Sequence, residues 1–175
     1  SQIESINPVI KNELIAKLAY YIGGHGIVAG QYLDIYAQKQ MDTQTAVEQC
    51  YDLKTGRLFQ AVFVLTGMAS EQSSQEQLND LAAAGIYVGR LFQMRDDLLD
   101  LEASVEVSGK PSNQDEQKLN LPRLLGKETA KQCYCAYYEQ LNHLIDKLFS
   151  PDDNPLKELL EELFAKEKLF SFLPS

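Results

Sequence analysis

Apolar residues return at every third and fourth position along almost the whole chain, and no stretch alternates as a half-buried strand would. That period admits helices and leaves no place for a sheet, so the expected fold is an all-α, antiparallel helical bundle. The pattern predicts five long helices, running from Pro8 to Tyr36, Thr43 to Met68, Ser74 to Ala103, Pro122 or Lys127 to Phe149, and Leu156 to Phe170. Pro8 suits a first turn, Asp42 or Thr43 can cap exposed amides, and Ser74 with Gln77 forms a capping-box pattern. Between Val105 and Leu121 the period dissolves into a Ser-, Gly-, Asn- and Pro-containing run, which predicts one sizeable loop. Short connections elsewhere make neighbouring helices antiparallel.

The 175 residues suit a single compact unit able to bury roughly 70% of its unfolded surface. A formal net charge of −9 argues against nucleic acid or an anionic membrane as a partner. Any anionic ligand must therefore meet local positive charge. Cys50, Cys133 and Cys135 are odd in number and lack zinc-ligand spacing, which predicts reduced thiols. No uncharged apolar run approaches about 18 residues and no signal-peptide start is present, so the expectation is a soluble, cytoplasmic chain.

Three helical stripes are interrupted by polar residues. In the third helix, Ala82, Gly85, Gly89, Gln93, Asp96 with Asp97, and Asp100 follow one line. Asp96 and Asp100 share a face about 6 Å apart, where like charges repel unless a cation lies between them. Oxygen ligands with open positions favour Mg²⁺, which keeps waters or takes up phosphate oxygens. The alternative is a solvated acidic patch near a helix end, although acids there oppose the macrodipole. In the second helix Lys54 breaks the stripe Val47, Tyr51, Leu58, Ala61 and Leu65, so it either snorkels to water or meets an anion inside. In the first helix Tyr20, Gly24, Ile27, Gln31 and Asp34 align beside four glycines, which implies close backbone approach. His25 reads as packing or a satisfied hydrogen bond, and Tyr134, Tyr137 and Tyr138 as core or surface packing. The loop adds Lys110, Asp115 and Lys118, and together with Lys54 and the aspartates these would form a mixed-charge cavity suited to a magnesium-bound polyphosphate.

Four segments in order, GIVAGQYLD, DLKTGRLFQAVFVLTG, GRLFQMRDDLLD and SGKPSNQDEQKLNLPRLLG, resemble the motifs of the trans-isoprenyl diphosphate synthases, the farnesyl and geranylgeranyl diphosphate synthase family. The resemblance implies a bundle of the isoprenoid synthase type, incomplete at its N-terminal side, with residues 1–175 as the C-terminal part of a polyprenyl synthase domain. It implies a Mg²⁺-dependent prenyltransferase, of the farnesyl diphosphate synthase or geranyltranstransferase kind, joining isopentenyl diphosphate head to tail to dimethylallyl or geranyl diphosphate. Asp96 would hold Mg²⁺, supported by Asp97, Asp100 and Asp115, while Lys54, Lys110 and Lys118 would neutralise the departing diphosphate. Thr55 and Gln93 would turn their oxygens to the carbocation, and Gln31 and Asp34 would orient Lys54 or metal-bound water. The family's other aspartate-rich motif and its following arginines are not among these residues, so the chain alone would hold half an active site and no activity. The family is commonly homodimeric. A non-catalytic partner subunit is the alternative, although it would not need a complete set of acids and lysines. A carboxylate-bridged metal bundle fits less well, since neither His25 nor His143 has a Glu three residues before it.

Overall fold

The computed structural model describes residues 7–36, 43–108, 120–150 and 154–165, and no strand occurs among them. The helices are α1 (Pro8–Ile22), α2 (Ile27–Tyr36), α3 (Gln44–Tyr51), α4 (Arg57–Ala69), α5 (Gln75–Ser108), α6 (Leu121–Leu125), α7 (Lys127–Leu148) and α8 (Pro155–Phe164). A single π-turn, Asp52–Gly56, joins α3 to α4 without breaking the rod.

Most starts are capped by the residues that the sequence offers. Asn7 accepts from the Val9 amide with Pro8 in the first turn, and Thr43 accepts from Ala46. Ser74 and Gln77 form the reciprocal box: the Gln77 amide donates to Ser74 Oγ at 3.2 Å and the Ser74 amide to Gln77 Oε1 at 2.8 Å. Asn120 and Asn154 cap α6 and α8.

Two expected helices are modified. The first is broken at Gly23–Gly26, where a Cβ on Gly26 would stand 1.7 Å from the Tyr21 carbonyl oxygen, so the chain can turn there only with glycine. The second carries the π-turn, in which the Arg57 amide reaches back five residues to the Asp52 carbonyl. The third extends to Ser108, beyond Ala103, and the last described helix ends at Phe164.

The long α5 is the axis of the molecule, packed between α4 on one side and α7 on the other. Its Leu91, Met94 and Leu98 are fully buried with Tyr134, Leu141 and Ile145 of α7 and Leu121 of α6. Each such leucine contributes about 1.5–3 kcal/mol by leaving water, and the cluster fixes the rotation of α5 and hence which face meets α4.

Candidate functional site

The small-residue stripe of α5 faces α4 and the π-turn. A Cβ on Gly85 would lie 2.5 Å from the Gln60 nitrogen, and one on Gly89 would lie 2.4 Å from the Gly56 Cα, so the two helices touch backbone to backbone. Four residues along α5 move the contact four residues back along its partner, as antiparallel packing requires. Across the π-turn the register shifts, so that the next turns of α5 bring Gln93 to Thr55 and Asp97 to Tyr51.

These four side chains form one hydrogen-bonded chain. Thr55 Oγ1 donates to Gln93 Oε1 at 3.2 Å, and Gln93 Nε2 donates to Asp97 Oδ1 at 3.2 Å. The Tyr51 hydroxyl donates to the other Asp97 oxygen and accepts the Leu121 amide at 3.1 Å. Asp97 is only 6% exposed, so these donors supply hydrogen bonds that water would otherwise give. Burial, then the Asp97 charge, pushes the Tyr51 hydroxyl far above its ordinary pKa, which keeps it a donor.

Next to Thr55 in the π-turn, Lys54 Nζ donates to Asp34 Oδ2 of α2 at 2.8 Å. Of the two outcomes open to a lysine in an apolar stripe, water or an interior anion, the contact is with the anion. Gly30, one turn before Asp34, lets α2 lie directly on the backbone at Leu53 and Lys54. Gln31 is exposed on α2, three residues before Asp34. The π-turn is itself anchored by Arg90, which donates to both Asp52 oxygens at 2.6 and 2.7 Å. The same guanidinium lies 3.6 Å from Glu48 and 5.3 Å above the Tyr137 ring, and the Tyr137 hydroxyl donates to Glu48.

Asp96 and Asp100 lie on another side of α5 from buried Asp97, one partly and one fully exposed. Burial raises the Asp96 carboxyl above its usual range against the opposing pull of Arg95, 3.6 Å away, and the Asp100 charge adds to the rise. Among the described residues no group of three or more acids, histidines or cysteines could hold a metal by protein atoms alone. Two water-facing carboxylates one turn apart fit Mg²⁺, which needs only one or two carboxylates when phosphate oxygens and waters complete its shell. Asp97 has both oxygens engaged inward, by Tyr51 and Gln93. Lys110, Asp115 and Lys118, expected in the loop, lie outside the described residues.

Periodicity did not reveal Tyr51, which reads as one more apolar-stripe residue, nor Arg90 and Asp52. Their pairing joins positions 46 and 38 residues apart, and no local spacing signals it.

Residues 11–163 match the polyprenyl synthetase family. The chain belongs to that family. It is 32% identical over 167 residues to the farnesyl diphosphate synthase of Micrococcus luteus, a match covering 93% of this chain and 56% of that protein. A geranyltransferase from Helicobacter pylori, solved with magnesium and isoprenyl diphosphate, superposes with a TM-score of 0.69 at 26% identity, over 97% of this chain and 52% of that one. A farnesyl-diphosphate synthase candidate from a Marinomonas species gives 0.77 at 27% identity, over 94% and 56%. The all-α fold is thus that of the isoprenyl diphosphate synthases. The chain spans about half the length of the curated relatives it matches.

Proposed function

We propose that this polyprenyl synthetase chain is the C-terminal part of a domain that transfers an allylic prenyl group, from dimethylallyl or geranyl diphosphate, to isopentenyl diphosphate. The observation that carries this reading is the π-turn. Its adjacent residues present an ammonium held by Asp34 and a hydroxyl held by Gln93, on the helix that bears Asp96 and Asp100.

Each side chain then has a task that its chemistry allows. Lys54, with Lys110 and Lys118 beyond the described residues, balances charge on the departing diphosphate, and Asp34 keeps the ammonium directed. Thr55 and Gln93 place oxygen lone pairs beside the electron-deficient allylic carbon. Asp96 and Asp100 would hold Mg²⁺ with Asp115, while Asp97 supports the set from within. Magnesium, when bound, would neutralise the phosphate oxygens as the carbon–oxygen bond breaks. Gln31, exposed on α2, would with Asp34 orient Lys54 or metal-bound water. The reading also carries a cytoplasmic location and a homodimer. Exposed Ile15, Leu18, Ile22, Val28 and Ile35 on α1 and α2 favour burial against another surface. No described helix is long and apolar enough to cross a membrane.

The test is turnover of isopentenyl and geranyl diphosphates by the full-length protein containing this chain. Asp96→Ala is expected to lower it by roughly 10²-fold or more while helical content is kept; wild-type turnover in that variant would remove the metal role.

A further inference from the structure

We propose that Tyr51 is a positioning residue for the reaction: through Asp97 it fixes which way the Gln93 amide faces, and so which atom Gln93 offers to Thr55. The inference rests on the prenyl-transfer reading only for its catalytic consequence; the positioning itself is geometric.

The direction of every bond in the chain follows from its two ends. The Leu121 amide can only donate, so it fills an acceptor site on the Tyr51 oxygen, and the hydroxyl proton goes to Asp97. An ionised Asp97 can only accept, so it takes the Gln93 NH₂ group and not its carbonyl. The Gln93 carbonyl is thereby turned to Thr55, whose hydroxyl spends its proton on it and keeps its own lone pairs outward. A glutamine amide has no intrinsic preference between its two orientations. The selection comes from the Asp97 carboxylate, held in place by a buried hydroxyl on α3, 5% exposed with its residue, that also binds the first amide of α6.

Removing the Tyr51 hydroxyl takes one donor from Asp97 and leaves the buried Leu121 N–H without its acceptor, which costs free energy until that N–H finds another oxygen. A carboxylate that rotates toward Leu121 withdraws from Gln93. The amide is then free to invert. Asp97→Asn breaks the same step differently, since an asparagine NH₂ facing the glutamine NH₂ forces one of them to turn.

The experiment reads the Gln93 side-chain amide by NMR in the full-length protein, assigned by its loss in Gln93→Glu, in wild type, Tyr51→Phe and Asp97→Asn. Tyr137→Phe is the control: it removes another buried tyrosine hydroxyl, the one donating to Glu48, and leaves the Gln93 chain untouched. The expected result is that the paired Gln93 resonances shift and exchange faster in Tyr51→Phe and Asp97→Asn and stay in place in Tyr137→Phe. Turnover in Tyr51→Phe is expected to fall about tenfold in kcat with KM for isopentenyl diphosphate unchanged. Unmoved Gln93 signals in Tyr51→Phe overturn the proposal, as does an equal shift in Tyr137→Phe, which would mark a general loosening. Should Tyr51→Phe not fold, unmoved signals in Asp97→Asn overturn it. Shifted signals in the variants, with no turnover in the wild type, leave the positioning intact and remove the prenyl-transfer reading.

Discussion

Gly30 of α2 lies against the backbone of Lys54 so closely that a Cβ at position 30 would come within 2.1 Å of the Lys54 amide nitrogen. The ion pair between Lys54 and Asp34 exists because the two backbones can meet there. Gly30→Ala must push α2 off the π-turn, at an expected cost of about 2–3 kcal/mol. Gly24→Ala, with nothing within 4 Å of its added methyl, is expected to stay within about 0.5 kcal/mol of wild type. Urea melts of the two variants compare the contacts directly, and equal midpoints would show that the close approach does not matter.

The two adjacent aspartates of α5 should separate stability from binding. Asp97→Asn, in the core, is expected to lose about 2 kcal/mol of stability by disturbing a charge-assisted network. Asp96→Asn, with a side chain 44% exposed, should melt within about 0.5 kcal/mol of wild type. Calorimetric titration with magnesium pyrophosphate is expected to show the reverse order, with the larger loss in Asp96→Asn. Identical binding by Asp96→Asn and wild type would place the metal elsewhere.

Arg90 grips both oxygens of Asp52, the first residue of the π-turn, while lying over Tyr137. Lysine retains the charge but cannot make that planar fork or stack in the same way. Arg90→Lys is therefore expected to cost about 1–2 kcal/mol. A double-mutant cycle with Asp52→Asn, followed by chemical denaturation, should return a coupling energy of the same sign; strict additivity would refute it.

Tyr51, Tyr134 and Tyr137 are held above the ordinary phenol pKa, in each case chiefly by burial. In the unfolded chain their hydroxyls lose protons near pH 10, where the folded state still keeps them. The folded state then binds more protons, so stability should fall as pH rises past about 10 and be unaffected by these groups near neutrality. Phenolate absorbance of the nine tyrosines should rise in two stages, the second coinciding with loss of helical signal. A single smooth titration without unfolding would contradict the burial argument.

Helicity, the caps at Thr43 and Ser74, and the acid and lysine motifs were legible in the residues because each depends on neighbours three or four positions away. Asp96 and Asp100 share a face by helix geometry alone, and a lysine in an apolar stripe left two outcomes open, water or an interior anion. Which anion was a tertiary matter: Asp34 reaches Lys54 because Gly30 lets one helix lie on another. Periodicity also ran straight through the break at Gly23–Gly26 and the π-turn, since apolar residues recur at three and four on either side of both while the backbone changes between them. Asp97 differs from Asp96 by one residue and by a 100° rotation. Only the packing of α5 against Tyr51 decided that one carboxylate turns to the core and the other to water, because the cost of burying a charge depends on a donor contributed from a distant part of the chain.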